Sequence, residues 1–292
     1  MPGMRISVIN HTNGNVTDRR LIEVIRSINR QIHEDFEPYW GMGATLRLEG
    51  RSEKEPDPMH PIDMRGDAII YVWERAKEDS SKSLEEEARE AVGYHDQNFM
   101  GIPHGFVFID VAKRLKQDWS VALSHEALEM IADPELNLLV QGPHPEDPKN
   151  PDKFVFHFYE VCDAVSAESY EIDGIKVSNF VLPLYFTGGD EYDGRNDLLG
   201  TVYKGKTSLK SFGVNPGGYI SYIDPPTMKT HFFFNNEDDK AAKTRIALKS
   251  QVKNASRLGR YQRITDPAIR GLTKREKTLS ENGKGRKKEK QK

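Results

Sequence analysis

The chain is poor in cysteine: its single one, Cys162, excludes an internal disulfide and agrees with a reducing compartment. It has no apolar run near the roughly 18 residues that a membrane span requires, and Met1 to Arg5 lacks the charged and apolar regions of a signal peptide. A soluble, cytoplasmic protein without membrane contact is the expectation. No Walker phosphate loop, dinucleotide fingerprint or internal repeat occurs, which argues against nucleotide chemistry. One further absence is local: between Asp118 and Asp133 there is neither lysine nor arginine.

Charge of both signs is plentiful but unevenly spread. Residues 240–292 hold 18 Lys and Arg against 4 Asp and Glu, a balance of +14, while the preceding part holds 24 against 41, a balance of −17. From Glu281 to Lys292 no apolar residue is available for packing, so that stretch is expected to be disordered. The organisation expected is a body over 1–239 and a basic helical or disordered tail over 240–292. The tail reads as a contact for nucleic acid or another polyanion, as a solubilising extension, or as a segment folded back on the acidic body. At 37% hydrophobic content the body can bury a core.

Hydrophobic periodicity divides the body into strands and helices. Arg5 to Asn10 alternates like a strand. Thr17 is placed to cap a helix, with Val16 stapling onto Leu21, and Leu21, Val24, Ile25, Ile28, Ile32 and Phe36 mark its buried face to about Pro38. Ala44 to Glu49 reads as a second strand. After a Pro-rich loop from Glu55 to Pro61, Asp67 to Trp73 reads as a third, apolar enough for the middle of a sheet. An acidic segment, Ser83 to Ala91, then leads through Gly93-Tyr94-His95-Asp96 to a strand over Gly105 to Val111. The punctuated stretch from Leu138 to Lys153 reads as a loop. A β-rich part follows over about 165–235: a hairpin turning at Asp173-Gly174, with its second arm in Ile175 to Phe186, and short strands at Gly218 to Ile223 and His231 to Phe234.

The most informative stretch is Ser124-His125-Glu126-Ala127-Leu128-Glu129, ending in Asp133-Pro134. His125 and Glu129 are four residues apart, so on a helix their side chains leave one face a turn apart. Asp118, His125, Glu126, Glu129 and Asp133 fall within an arc of roughly 100° on a helical wheel. Val121, Leu123, Ala127, Leu128, Met130 and Ile131 occupy much of the rest, which suits a helix buried on most sides. Buried carboxylates need a cation, a hydrogen-bond network or a raised pKa. The competing reading is an amphipathic helix with a solvated acidic face. Pro134 is expected to end the helix about one turn after Glu129.

A second acidic cluster, Tyr159-Glu160-Val161-Cys162-Asp163, follows some thirty residues later. Glu160 is the expected third ligand, with Asp163 behind it holding His125 by its free ring N–H. Asp133 is the rival third ligand, although it lies roughly 12 Å along the helix axis from His125 unless the helix breaks first. Its other reading is bonding to the loop ahead of Pro134. Asp163 or Cys162 as ligand, or no site at all, are the remaining alternatives.

These two motifs in this order, followed by Tyr170-Glu171-Ile172-Asp173-Gly174, resemble a group of bacterial and phage proteins sharing S-H-E-x-x-E-x-x-x-D-P and a downstream E-x-x-D. The strand and helix order of residues 5–134 resembles the zincin metallopeptidase domain. The resemblance covers 5 to about 235 and implies an α+β fold: a twisted mixed sheet, one backing helix and an active-site helix at about 118–133, then the β-rich part and basic tail. It implies His125 and Glu129 as metal ligands, Glu126 as general base and Glu160 as the downstream ligand. It departs from H-E-x-x-H at Glu129, where a glutamate stands in place of the second histidine.

What the resemblance implies is a metallopeptidase or amide hydrolase acting on a peptide or protein substrate with one divalent metal. Zn²⁺ is expected first. Two carboxylates and one imidazole make Mn²⁺ or Fe²⁺ more competitive. The alternative is a catalytically inactive zincin-like scaffold, phage-related, acting as a binding or structural module with a polyanion-binding tail. His95 and Tyr159 are candidate oxyanion donors, each with a structural alternative: a hydrogen-bonded histidine and a core aromatic. The loop Asp190 to Asp197 is oxygen-rich but lacks EF-hand spacing, and Arg195 opposes a cation, so a solvated turn is expected. Cys162 reads as a small buried apolar residue.

Overall fold

The computed structural model describes residues 3–50, 64–74, 93–98, 100–114, 116–191, 193–203 and 208–234. The basic tail and its expected polyanion contact, the Pro-rich loop at 55–61 and the acidic segment at 83–91 lie outside the described residues. The described part is mixed α+β, with a five-stranded mixed sheet and few helices. No described helix is long and apolar enough to cross a membrane.

Strands β1 (Met4–His11), β2 (Ala44–Leu48), β3 (Ala68–Trp73), β4 (Gly93–Gln97) and β5 (Pro103–Phe108) form the main sheet in the order β2-β1-β3-β5-β4. The first four run parallel, and β4 closes the edge antiparallel to β5. β3 is buried at every position, as its continuous apolar sequence requires of a central parallel strand. Its alternate residues face two different cores. Ala68, Ile70 and Val72 join the larger one, which contains both long helices, whereas Ile69, Tyr71 and Trp73 pack with Ile9, Phe106 and Phe108 on the opposite face.

Helix α1 (Asp18–Arg30) opens where expected, with the Thr17 side chain accepting from the amide of Arg20. Val16, Leu21, Val24, Ile25, Ile28, Ile32 and Phe36 are all buried in the larger core. Each such aliphatic burial is worth about 1.5–3 kcal/mol. The helical path does not stop at Pro38. It widens into a π turn at Gln31–Phe36 and resumes as α2 (Glu37–Trp40), which ends on left-handed Gly41. Pro38 falls in the opening turn of α2, where a missing N–H is tolerated.

Three departures from the sequence reading bear on the site. Gly93–Gln97 is itself a strand, not a lead-in to one; its low β propensity is overridden by pairing with β5. The strand expected to reach Val111 ends at Phe108, and Ile109–Arg114 turns into a short helix, α3, whose Val111 packs on the second core. The β-rich part begins earlier than expected, because Leu139–Pro143 forms β6 inside the supposed loop. Pro143 is compatible with that strand because β6 lies at a sheet edge.

Helix α4 (Trp119–Ala132) ends three residues after Glu129, as Pro134 requires. Beyond it, β6, β7 (Phe154–Phe158), β10 (Ile220–Asp224) and β11 (Lys229–Phe233) make an antiparallel sheet ordered β11-β10-β7-β6. The hairpin of β8 (Ser169–Ile172) and β9 (Ile175–Ser178) turns on Asp173 and Gly174, both at positive φ, as a two-residue turn demands. Its second arm stops at Ser178, well before Phe186. The loop at 190–197 is not wholly solvated. Asn196 and Asp197 are fully buried, with Asp197 accepting from Asn179 and Gly200, and Asn196 donating to Asp190 and Leu209.

Candidate metal centre

Apolar residues on most sides of α4 force it into the larger core, and the acidic arc goes in with them. Glu126 and Glu129 retain 4% and 1% exposure, which removes the reading of a solvated acidic face. The N-terminal end of that arc is wet: Asp118 pairs with Lys176 of β9 at 3.0 Å, both side chains being exposed.

The helix is held in place by a buried polar network. Ser124 Oγ donates to Gln31 Oε1 at 2.6 Å and accepts from the amide of Ser178 at 3.0 Å, while Gln31 Nε2 donates to the Ser178 carbonyl at 2.7 Å. Gln31 opens the π turn after α1, so the irregular helical segment, α4 and β9 are tied together one residue before His125.

His125 Nε2 stands 3.2 Å from Glu129 Oε1 and 3.3 Å from Asp163 Oδ1. Those spacings are close to the ~3.3 Å separating ligand atoms at adjacent corners of a tetrahedral zinc site. Glu129 Oε1 also accepts from the amide of Cys162 at 3.2 Å, which fixes the carboxylate from the turn carrying Asp163. Burial disfavours a charged His125 ring. Even so, the charge of Glu129, hydrogen bonds that the ring donates to Asp163 and Glu129, and the charge of Glu126 together hold its pKa well above 6.5. A metal that takes Nε2 must therefore displace a proton, and affinity falls with acidity.

A second histidine enters from the sheet. His95 Nδ1 lies 3.1 Å from Glu126 Oε2 and 3.8 Å from Glu129 Oε2, and its Nε2 faces Glu160 Oε2 at 4.0 Å. Glu160 thus lies beside His95, and Asp163, expected behind the ligand shell, stands with Glu129 beside His125. Two donor sets have all their ligand atoms within 4.8 Å of one another: His125, Glu129 and Cys162, and His95, Glu126 and Glu129. Within this cluster four carboxylates meet two imidazoles, so the rings can offset at most two of the four negative charges. Solvent reaches it mainly at His125 and Glu160, with side-chain exposures of 12% and 11%; the others lie at 5% or below.

Asp133 and Tyr159 belong to neither donor set. Asp133, the rival third ligand, has carboxylate oxygens that accept from the amides of Asn137 and Leu138, so it closes the C-terminal end of α4. Tyr159 stacks on Phe186 at 4.4 Å and meets Trp40 edge-on at 5.6 Å, so its ring packs among aromatics. Cys162 is fully buried; burial, with Glu129 and Asp163 adding to it, pushes its thiol well up, and its Sγ lies 3.9 Å from the His125 carbonyl.

The sequence reading undervalued His95 and passed over Gly93. The usable signal was the two-residue spacing of Gly93 and His95, which puts both on one face of a strand. That face looks onto α4: a Cβ at Gly93 would meet Glu126 Oε1 at 2.8 Å. Comparison of the chain with protein-family models, with curated proteins and with solved structures finds no match.

Proposed function

We propose that this chain is a divalent-metal-dependent hydrolase of amide bonds in a peptide or protein substrate, built on a zincin-like scaffold. The observation that carries the reading is the flanking of His125 Nε2 by Glu129 and Asp163 at 3.2 and 3.3 Å in a buried, strongly acidic cluster. The scaffold part is supported by an antiparallel edge strand, β4, whose residues abut the helix bearing His125. His125 and Glu129 would hold the ion, with Asp163 or Cys162 as the third donor, and Glu160 lines the solvent side. One imidazole with two carboxylates suits Zn²⁺ first, with Mn²⁺ and Fe²⁺ next. The bound ion supplies Lewis acidity, polarising the amide carbonyl and making a water nucleophilic near neutral pH.

The chain's own residues then divide the proton chemistry. Glu126 takes the proton from the attacking water and passes it to the leaving nitrogen. His95 Nδ1, 3.1 Å from Glu126 Oε2, fixes the direction of that carboxylate. The cluster's burial keeps both groups in a weakly screened setting where charge interactions are strong.

Metal analysis of the purified full-length protein, with a parallel Zn²⁺ titration, tests the reading. Tightly bound metal is expected in the wild type and should be lost in His125→Ala. Glu126→Gln should retain the metal while peptide hydrolysis falls by about 100-fold or more. A protein that contains no metal and takes up none defeats the proposal, as does full hydrolysis in Glu126→Gln.

A further inference from the structure

Glu129 points its two oxygens at different histidines. Oε1 lies 3.2 Å from His125 Nε2, and Oε2 lies 3.8 Å from His95 Nδ1. The two compact donor sets have this one residue in common. A carboxylate presented in this way bridges paired ions, which in two-metal sites stand about 3.5–4 Å apart.

We propose that a second divalent cation binds between His95, Glu126 and Glu129, bridged to the first by Glu129, and that its binding switches hydrolysis off. The switch rests on the hydrolase reading above, because it works by removing Glu126 from proton transfer. Once Glu126 Oε2 is a ligand, the cation draws charge from the whole carboxylate and lowers its basicity, so it no longer takes a proton from water effectively.

Three features make this second site a built one. Its donors are already gathered, with His95 Nδ1 3.1 Å from Glu126 and 3.8 Å from Glu129, and all three side chains are at least 95% buried. They come from rigid elements, β4 and α4, so little ordering is needed on binding. The charges also balance: with neutral rings, Glu126, Glu129, Glu160 and Asp163 sum to −4, matching two divalent cations. His95 Nε2 faces Glu160 Oε2 at 4.0 Å, so a further carboxylate charge lies near the ring without a direct hydrogen bond. Imidazole with carboxylates favours Zn²⁺ over Mg²⁺ or Ca²⁺.

The test uses the full-length chain, stripped with a chelator and titrated with Zn²⁺. Ions per chain are counted by native mass spectrometry and binding steps by calorimetry, while hydrolysis of a mixed fluorogenic peptide pool is followed at each addition. Two ions per chain are expected, with hydrolysis rising through the first equivalent and falling through the second. In His95→Gln the second step should vanish and the first remain, so the ratio of rates at two equivalents and at one should return to unity. Saturation of the wild type at one ion overturns the second site and leaves the hydrolase reading standing; saturation at none removes both. Persistence of the second step in His95→Gln, or hydrolysis that keeps rising through the second equivalent, overturns the proposal. Should His95→Gln fail to fold, Mn²⁺ electron paramagnetic resonance on the wild type decides. An exchange-coupled pair at saturation supports the bridge, and isolated Mn²⁺ alone refutes it.

Discussion

Gly93 lies so close to Glu126 that a Cβ at Gly93 would stand 2.8 Å from Oε1 of the glutamate and 2.9 Å from its Cγ. The carbonyl of Phe106 on the neighbouring strand β5 would stand 3.1 Å from the same point. The absence of a side chain on one strand residue thus makes the space in which the general base of the proposed reaction lies.

Gly93→Ala should therefore displace Glu126 without removing a ligand of the His125 ion. Peptide hydrolysis should fall by about 10-fold or more, since misplacing a reacting group by an ångström is that costly. Metal bound at the His125 side should be unchanged. Wild-type hydrolysis rates in this variant would show that the position of Glu126 is immaterial.

Ser124→Ala should destabilise the fold by about 2–4 kcal/mol, because it deprives both Gln31 Oε1 and the amide of Ser178 of a buried partner. Urea denaturation followed by circular dichroism measures this. A loss below about 0.5 kcal/mol would mean that the network does not anchor α4.

His157 makes stability depend on pH. Burial lowers its pKa from 6.5 to about 4, outweighing the hydrogen bond in which the ring donates to the Pro143 carbonyl at 2.9 Å. The unfolded chain binds this proton first as acid is added, so the contribution is complete above pH 6.5 and is lost as pH falls toward 4. The loss amounts to about 3 kcal/mol once both states are protonated. Urea midpoints measured between pH 7 and 4 should decline over that window, and His157→Gln should flatten this part of the decline.

Removing metal should lower thermal stability. An ion that binds only the native state adds about 2.7 kcal/mol when its free concentration is 100-fold above Kd. Scanning calorimetry should show a melting temperature that rises with Zn²⁺, reverts with chelator and responds less to both in His125→Ala. A wild-type melt indifferent to Zn²⁺ and chelator alike would count against a structural ion at His125.

Much of this was legible in the chain, for local reasons. The four-residue spacing of His125 and Glu129, the stop at Pro134 and the Thr17 cap depend on helix geometry alone, so α4 and α1 begin and end close to where periodicity and capping place them. The continuous apolar run of β3 and the Asp173-Gly174 turn are equally local signals. Charge also divides by simple counting, into an acidic body and a basic end.

The partners of those side chains were decided by tertiary structure. Glu160 and Asp163 are three residues apart in one turn, and nothing in their spacing says which stands beside His125; the packing of that turn against α4 puts Asp163 there. His95 reaches Glu126 across 31 residues only because β4 pairs antiparallel at the sheet edge, and a register shift by one residue would turn it to the opposite face. Periodicity governs which residues share a face. What that face meets depends on strand order and register, which arise from burying the whole core at once.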